Sequence, residues 1–134
     1  MLNLNGLRQF LTLLLRVQRR CLLWMGPPCS SWVIISRSWT RRSRLAPEGP
    51  PSRWSSQKLR EYLDTHNSLA CLSALLIRTA VGLKIQYVLQ QPQSSLLFVY
   101  PPINETLRNI AAMQVPFAMR DFNGESQNQL TLQG

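Results

Sequence analysis

The thiol of Cys29 stands where an α/β protein would carry a nucleophile. It follows an apolar run, residues 21–25, from which Gly26, Pro27 and Pro28 separate it. A run of this length bounded by glycine and proline is typical of a buried strand in a parallel sheet. The prolines cannot donate to a sheet ladder, so the strand must end at them. Ligand sites in open α/β sheets lie beyond the carboxyl ends of strands, which makes Cys29 a candidate nucleophile if its loop is exposed and a packing residue if it is buried.

A second motif follows the next predicted strand. Residues 57–81 carry apolar side chains at helical spacing, and Gly82 is the expected left-handed residue that ends this helix. Residues 83–90 then alternate between apolar and polar side chains, which predicts a strand. The order strand, helix, strand predicts a right-handed crossover and a parallel pair, which brings Cys29 and Gln90 to the same edge of the sheet.

These two motifs resemble those of an enzyme family. The GPPC segment at positions 26–29 is similar to the catalytic loop of cytosine-C5 DNA methyltransferases, and residues 22–102 look like methyltransferase-like proteins of algae that carry GPPCSSW and EQPxSSL motifs. This chain has QQPQSSLL at positions 90–97. The resemblance implies a partial Rossmann-like methyltransferase fold of the α/β class, with a short parallel sheet, a βαβ crossover and a long central helix.

The resemblance also implies roles for single residues. Cys29 would add to C6 of the cytosine ring, and Gln90 would stand in the position of the glutamate that holds N3. The residues expected to line the substrate loop are Pro27, Pro28, Ser30 and Ser31. A glutamine can bond the ring but cannot protonate it, and loss of a general acid typically costs about 10²–10⁴-fold in rate.

The cofactor implied by the resemblance is S-adenosylmethionine, and the substrate would be a base flipped out of DNA or RNA. A Gly-rich strand-to-helix turn and an acidic residue for the ribose should precede the first strand, but residues 1–20 contain neither. We therefore expect an N-terminally truncated domain that lacks its cofactor half and is not active by itself.

Residues 36–56 form a basic loop rich in serine and proline. Its candidate nucleic-acid contacts are Arg37, Arg41, Arg42, Arg44, Arg53, Trp39 and Trp54. Arginine pairs with phosphate bidentately, and indole rings stack on bases. The loop therefore predicts contact with DNA or RNA, and the resemblance implies that it closes over the substrate base. The alternative is a solvated or disordered excursion.

The charge of the chain is unevenly distributed. The net charge is +9, and residues 1–47 contain eight arginines but no acidic residue. Such a half is typical of proteins that meet nucleic acid, an anionic membrane surface or an organelle import system. Residues 3–20 have the pattern of an amphipathic helix, which either packs on the sheet or is a mitochondrial transit peptide. The resemblance instead implies the nucleus, and no apolar run is long enough to span a membrane.

The cysteine and histidine contents limit the chemistry. Three cysteines at irregular spacing fit neither a disulfide framework nor a zinc site, so we expect no metal and a reduced, intracellular protein. His66 is the single histidine, so any Ser–His or Cys–His pair must use it. Its place within the predicted helix favours a surface or half-buried histidine.

Three functions are compatible with these patterns. The leading one is a remnant methyltransferase-like domain, the second is a non-catalytic basic nucleic-acid-binding module, and the third is a gene remnant that does not fold stably. We predict a basic helix over residues 1–20, an α/β domain over 21–124 and a polar tail over 125–134 that frays. Within the domain, residues 104–113 are predicted as a short helix and residues 115–122 as a strand.

Overall fold

The computed structural model describes residues 4–16, 21–118 and 129–133. The helices are α1 (Leu4–Arg16), α2 (Arg37–Thr40), α3 (Gln57–Gly82) and α4 (Pro101–Asn109). The strands are β1 (Leu22–Met25), β2 (Gln86–Pro92), β3 (Gln114–Ala118) and β4 (Gln129–Gln133). Short 3₁₀ turns lie at Ile34–Ser36, Ser52–Trp54 and Leu96–Val99.

The strands form one mixed sheet in the order β1–β2–β4–β3. β1 and β2 are parallel, with Trp24 opposite Val88 and Met25 opposite Leu89. The predicted parallel pair joined through α3 is therefore confirmed. β4 pairs antiparallel with both β2 and β3, so the chain is a mixed α/β protein with a single parallel pair among the described strands.

Helix α3 is the longest element and carries the core. Ser56 caps its first turn by accepting a hydrogen bond from the Leu59 N–H, which satisfies one of the free donors at a helix start. One face of α3 is buried against β2 and α4. That face includes Ala70, Ala74, Ile77 and Ala80. Its small alanines allow the sheet to approach the helix closely.

The end of α3 differs from the sequence prediction. Gly82 belongs to the helix, and the left-handed residue is Lys84, with a φ of 57°. The Ile85 N–H bonds the Ala80 carbonyl and the Lys84 N–H bonds the Val81 carbonyl, which is the pattern of a Schellman cap. The turn lies two residues later than predicted because it must place Ile85, which is buried, in the core ahead of β2.

The C-terminal half shows two further differences. Helix α4 begins at Pro101, whereas the predicted helix begins at Asn104, because prolines fit the first turn of a helix where N–H groups lack partners. The tail predicted to fray contains β4, which lies between β2 and β3. The predicted strand over residues 115–122 corresponds to β3 as far as Ala118, and its remainder lies outside the described residues.

Helix α1 corresponds to the predicted amphipathic helix. Leu14 is buried in the core, and Leu11 packs partly against it. This part of the chain therefore contributes to the folded domain. None of the helices in the described ranges is both long and apolar enough to cross a membrane.

Candidate functional site

A buried amide fixes the loop that follows β1. Gln91 is 1% exposed. Its Nε2 donates to the carbonyl of Pro27, and its Oε1 accepts a hydrogen bond of 3.1 Å from the Ser95 hydroxyl. The GPPC and QQPxSSL motifs therefore meet at the ends of the two parallel strands, and Gln91 is the residue that joins them.

Gln90 lies on the other face of β2. Its Oε1 accepts a hydrogen bond of 2.8 Å from the indole Nε1 of Trp24, on the exposed side of the sheet. Side chains alternate between faces along a strand, so the residue that faces the loop is Gln91. The structure thus brings Gln90 to Trp24 and Gln91 to Pro27.

Cys29 begins a tight turn in the loop that follows β1. Its carbonyl accepts hydrogen bonds from the N–H groups of Trp32, at 2.8 Å, and Val33, at 3.2 Å. The Cys29 thiol is free and partly exposed. The turn leaves Ser30 exposed and places Ser31 and Trp32 in the interior. Of the predicted substrate-loop serines, only Ser30 is accessible.

Trp32 anchors the loop to the core. Its ring lies 5.1 Å from the ring of Tyr100 between centroids, and Cζ of Arg42 lies over the Trp32 ring, 3.7 Å from its centre. The Trp32 carbonyl also accepts a hydrogen bond from the Leu96 N–H at 2.9 Å. One side chain thus joins the loop after β1, the basic loop and the segment before α4.

Arg42 is a buried member of the predicted set of arginines. Its Nη1 donates to the carbonyl of Pro47 and to Oδ1 of Asn67, the latter at 2.9 Å. Burial lowers the pKa of Arg42 to about 10, and the nearby Tyr100 and Tyr62 offset this only in part. Nη1 thus ties Pro47 of the basic loop to Asn67 of α3, whereas the buried Nε and Nη2 have no hydrogen-bond partner among the described residues.

The basic loop packs against α3 through main-chain contacts. Asn67 Nδ2 donates to the Glu48 carbonyl at 3.1 Å, and Arg60 Nη1 donates to the Pro50 carbonyl at 3.3 Å. Gly49 has a φ of 102°, and a Cβ there would lie 2.7 Å from Cδ1 of Leu63. Only glycine permits this approach without strain. The loop is therefore a folded part of the domain.

The basic loop and the adjoining part of α3 carry a group of aromatic and basic side chains, which we call the Trp39–Trp54 surface and define as Trp39, Arg41, Arg53, Trp54 and Tyr62. The rings of Trp39 and Tyr62 are 4.8 Å apart between centroids. Arg41 Nη1 donates to the Trp54 carbonyl at 3.3 Å, and the guanidinium of Arg53 lies 4.9 Å from the centre of the Trp54 ring. These contacts join Trp39 to Tyr62, and Arg41 and Arg53 to Trp54.

Among the described residues, the arginines of this surface have no acidic partner in a salt bridge. Within the described residues the salt bridge found is between Arg60 and Asp64, at 3.6 Å and on α3. Arg41, Arg44 and Arg53 are exposed, and Arg37 is half-buried with its Nε unpartnered among the described residues. Exposed arginines without carboxylates leave a positive surface available to an anion.

A cluster that the sequence did not predict joins Ser30 to α3. The Ser30 hydroxyl lies 2.9 Å from the hydroxyl of Tyr62 and 3.2 Å from Nε2 of His66. His66 Nδ1 donates to the main-chain carbonyl of Tyr62 at 2.9 Å. His66 is buried, and its ring lies 4.2 Å from the ring of Tyr62. The sequence showed that His66 must take part in any such pair, but not that the turn after Cys29 would bring Ser30 to it.

Comparison with known proteins assigns no family: no family model, no curated protein and no solved structure matches the chain. No group of three or more histidine, cysteine, aspartate or glutamate side chains in the described ranges could hold a metal ion. The conclusions on function therefore depend on the geometry of the two neighbouring features, the Trp39–Trp54 surface and the Ser30 cluster.

Proposed function

We propose that this protein binds single-stranded nucleic acid through the Trp39–Trp54 surface. The observation that carries the proposal is the pairing of two exposed indole rings with arginines that have no acidic partner in the described part of the chain. Bases stack on exposed aromatic rings whatever their sequence, and each stacked base is typically worth about 1–3 kcal/mol. Arginine beside such rings neutralises the phosphates between stacked bases.

Single strands fit this surface better than a duplex. Trp39 belongs to α2, and Trp54 belongs to the Ser52–Trp54 turn, so the two rings are presented by separate segments on one loop. Base faces are available for stacking only where the strand is unpaired. The rings then bind two bases of one strand, while Arg41 and Arg53 contact its backbone.

Replacing Trp39 or Trp54 by alanine is expected to weaken binding of a fluorescein-labelled oligothymidylate by about 5- to 150-fold, because one stacked base is lost. Fluorescence anisotropy at fixed salt measures the dissociation constant. The matched control is Trp24→Ala, since Trp24 is 55% exposed, against 48% for Trp39 and 60% for Trp54, but lies on the sheet. Equal weakening by Trp24→Ala, or no binding by the native chain, would contradict the proposal.

Salt dependence tests the same surface separately. For single strands the logarithm of the binding constant falls with the logarithm of salt concentration by about 0.7 for each neutralised phosphate. Arg41→Gln and Arg53→Gln should each make this slope shallower by roughly that amount, whereas the tryptophan variants leave it unchanged. Binding that does not respond to salt would exclude the arginine contacts.

A methyltransferase-like origin is the second proposal, favoured by the contact between the two motifs through Gln91. The residues present do not fit S-adenosylmethionine. The loops after β1 and β2, residues 26–33 and 93–95, contain no carboxylate for the ribose hydroxyls. A Cβ at Gly26 would meet nothing within 4 Å, so this glycine does not form a close-packed turn.

The chain is therefore proposed to bind nucleic acid without transferring a methyl group by itself. Incubation with radiolabelled S-adenosylmethionine and cytosine-containing DNA or RNA should leave the nucleic acid unlabelled. Label that is incorporated by the native chain and lost in Cys29→Ser would contradict this and restore Cys29 as the nucleophile of a complete enzyme.

A further inference from the structure

We propose that Ser30 and His66 form a nucleophile and base pair that attacks carboxylic esters. The proposal does not depend on nucleic-acid binding, although Tyr62 contributes to both features. It starts from three contacts: Ser30 Oγ to His66 Nε2 at 3.2 Å, Ser30 Oγ to the Tyr62 hydroxyl at 2.9 Å, and His66 Nδ1 to the Tyr62 carbonyl at 2.9 Å.

The carbonyl contact assigns the tautomer of His66. A main-chain carbonyl can only accept, so Nδ1 carries the proton and donates it to Tyr62. Nε2 of the neutral imidazole then has its lone pair directed at Ser30, and the Ser30 hydroxyl donates to it. The third group of a serine hydrolase triad performs this same orienting role for its histidine.

The Tyr62 hydroxyl completes the environment of the nucleophile. The Ser30 proton is directed to His66, so the phenol donates to the remaining lone pairs of Ser30 Oγ. During attack the negative charge develops on the carbonyl oxygen of the ester, and the phenol, which lies 2.9 Å from Ser30 Oγ, turns to donate to that oxygen. The same tyrosine thus holds the base through its carbonyl and the nucleophile through its hydroxyl.

Ser30 and His66 differ in solvent exposure, as a nucleophile and its base should. Ser30 is exposed at the turn after β1, whereas His66 is buried within α3. A substrate can therefore reach Ser30 while the imidazole is shielded from water on its other sides. Tyr62 contacts Ser30 through its hydroxyl, and its ring lies 4.8 Å from the ring of Trp39 between centroids. These neighbouring rings fit esters with a flat aromatic group.

The reaction proceeds in two balanced steps. Ser30 Oγ bonds to the ester carbonyl carbon while His66 Nε2 takes the hydroxyl proton. The bond to the alcohol oxygen breaks, and the alcohol leaves with that proton. Water then attacks the acyl carbon and gives a proton to Nε2, and Ser30 departs with the proton restored. The net change is ester plus water to acid plus alcohol.

A fluorophosphonate probe tests the nucleophile directly. Ser30 Oγ displaces fluoride from phosphorus, and the serine proton leaves through His66 to solvent. Tandem mass spectrometry of the digested native chain should locate the adduct on Ser30. An adduct on Cys29 or elsewhere, or no adduct on the folded chain, would overturn the proposal.

Variants measure the contribution of the base. Ser30→Ala should abolish labelling, and p-nitrophenyl benzoate hydrolysis should fall with it. His66→Asn keeps a donor near the Tyr62 carbonyl but lacks Nε2, and it should slow labelling by about 10²–10⁴-fold. Labelling of the asparagine variant at the native rate would show that His66 is no base.

The matched control is Ser68→Ala. Ser68 is an exposed serine on α3, the helix that carries His66, and this variant should label at the native rate. A near-UV circular dichroism spectrum is recorded for each variant, so that labelling rates are compared only between natively folded proteins. If His66→Asn does not fold, two results still test the proposal: the adduct must lie on Ser30, and Ser30→Ala must lose labelling. Loss of ester hydrolysis without loss of oligonucleotide binding separates this activity from the proposed function.

Discussion

Replacing Gln91 by leucine is expected to lower the free energy of unfolding by about 2–4 kcal/mol. Leucine fills the space, but it leaves the carbonyl of Pro27 and the hydroxyl of Ser95 without the partners that Gln91 provides. Each buried polar group left unsatisfied costs about 1–3 kcal/mol. Urea unfolding followed by tryptophan fluorescence measures the change as a lower midpoint at unchanged slope.

The neighbouring glutamine supplies the control. Gln90→Leu removes only the acceptor of the exposed Trp24 indole, and water can replace that partner. Its effect should remain within about 0.5 kcal/mol. If Gln90→Leu destabilised the chain as much as Gln91→Leu, the assignment of the two side chains to opposite faces of β2 would be wrong.

Replacing Trp32 by alanine is expected to cost about 3–5 kcal/mol of stability. Trp32 is fully buried, and its removal leaves a cavity between the Tyr100 ring and the Arg42 guanidinium. Arg42 then loses the stacking on the Trp32 ring that accompanies its burial. The same urea titration measures the loss.

Two further variants separate the causes of that loss. Trp32→Phe retains an apolar ring and should recover much of the stability, because less volume is removed. Trp54→Ala deletes an exposed ring and should change stability by less than about 1 kcal/mol. A cost of less than about 1 kcal/mol for Trp32→Ala would mean that Trp32 does not hold the basic loop against the core.

The two proposals place different chemistry on adjacent parts of one face. The Trp39–Trp54 surface offers stacking and positive charge, and the Ser30 cluster offers a nucleophile with a base. Tyr62 connects them, since it contacts both Trp39 and Ser30. A Tyr62 variant would thus affect both functions, whereas the tryptophan variants report on binding and the Ser30 and His66 variants report on the reaction.

The elements that position the site could be predicted from local sequence. Helical spacing over residues 57–81 and alternation before Gln90 correspond to α3 and β2, and Pro27 and Pro28 mark the end of β1. The parallel pairing of β1 with β2 follows from that order. These features depend on periodicity and on the missing N–H groups of proline, both of which can be read along a few residues.

The sequence also predicts which side chains of β2 face the core. Alternation that buries Tyr87 and Leu89 places Gln91 on the same face and Gln90 on the other. The family resemblance implied a functional role for Gln90, whereas the two-residue period of the strand places Gln91 on the buried face. A shift of one residue in a strand exchanges its faces, and the structure assigns the buried role to Gln91.

Contacts between distant segments were decided only by the tertiary structure. Ser30 meets His66 because the turn after Cys29 exposes one serine beside α3. Arg42 is buried because the basic loop folds over Trp32, although its sequence context is the same as that of the exposed Arg41. β4 alternates Leu130 and Leu132 with polar residues, but only its pairing with β2 and β3 fixes its place in the sheet. Local composition determined which residues could carry chemistry, whereas the packing of loops on α3 decided which of them meet, because that packing joins residues that no short-range pattern connects.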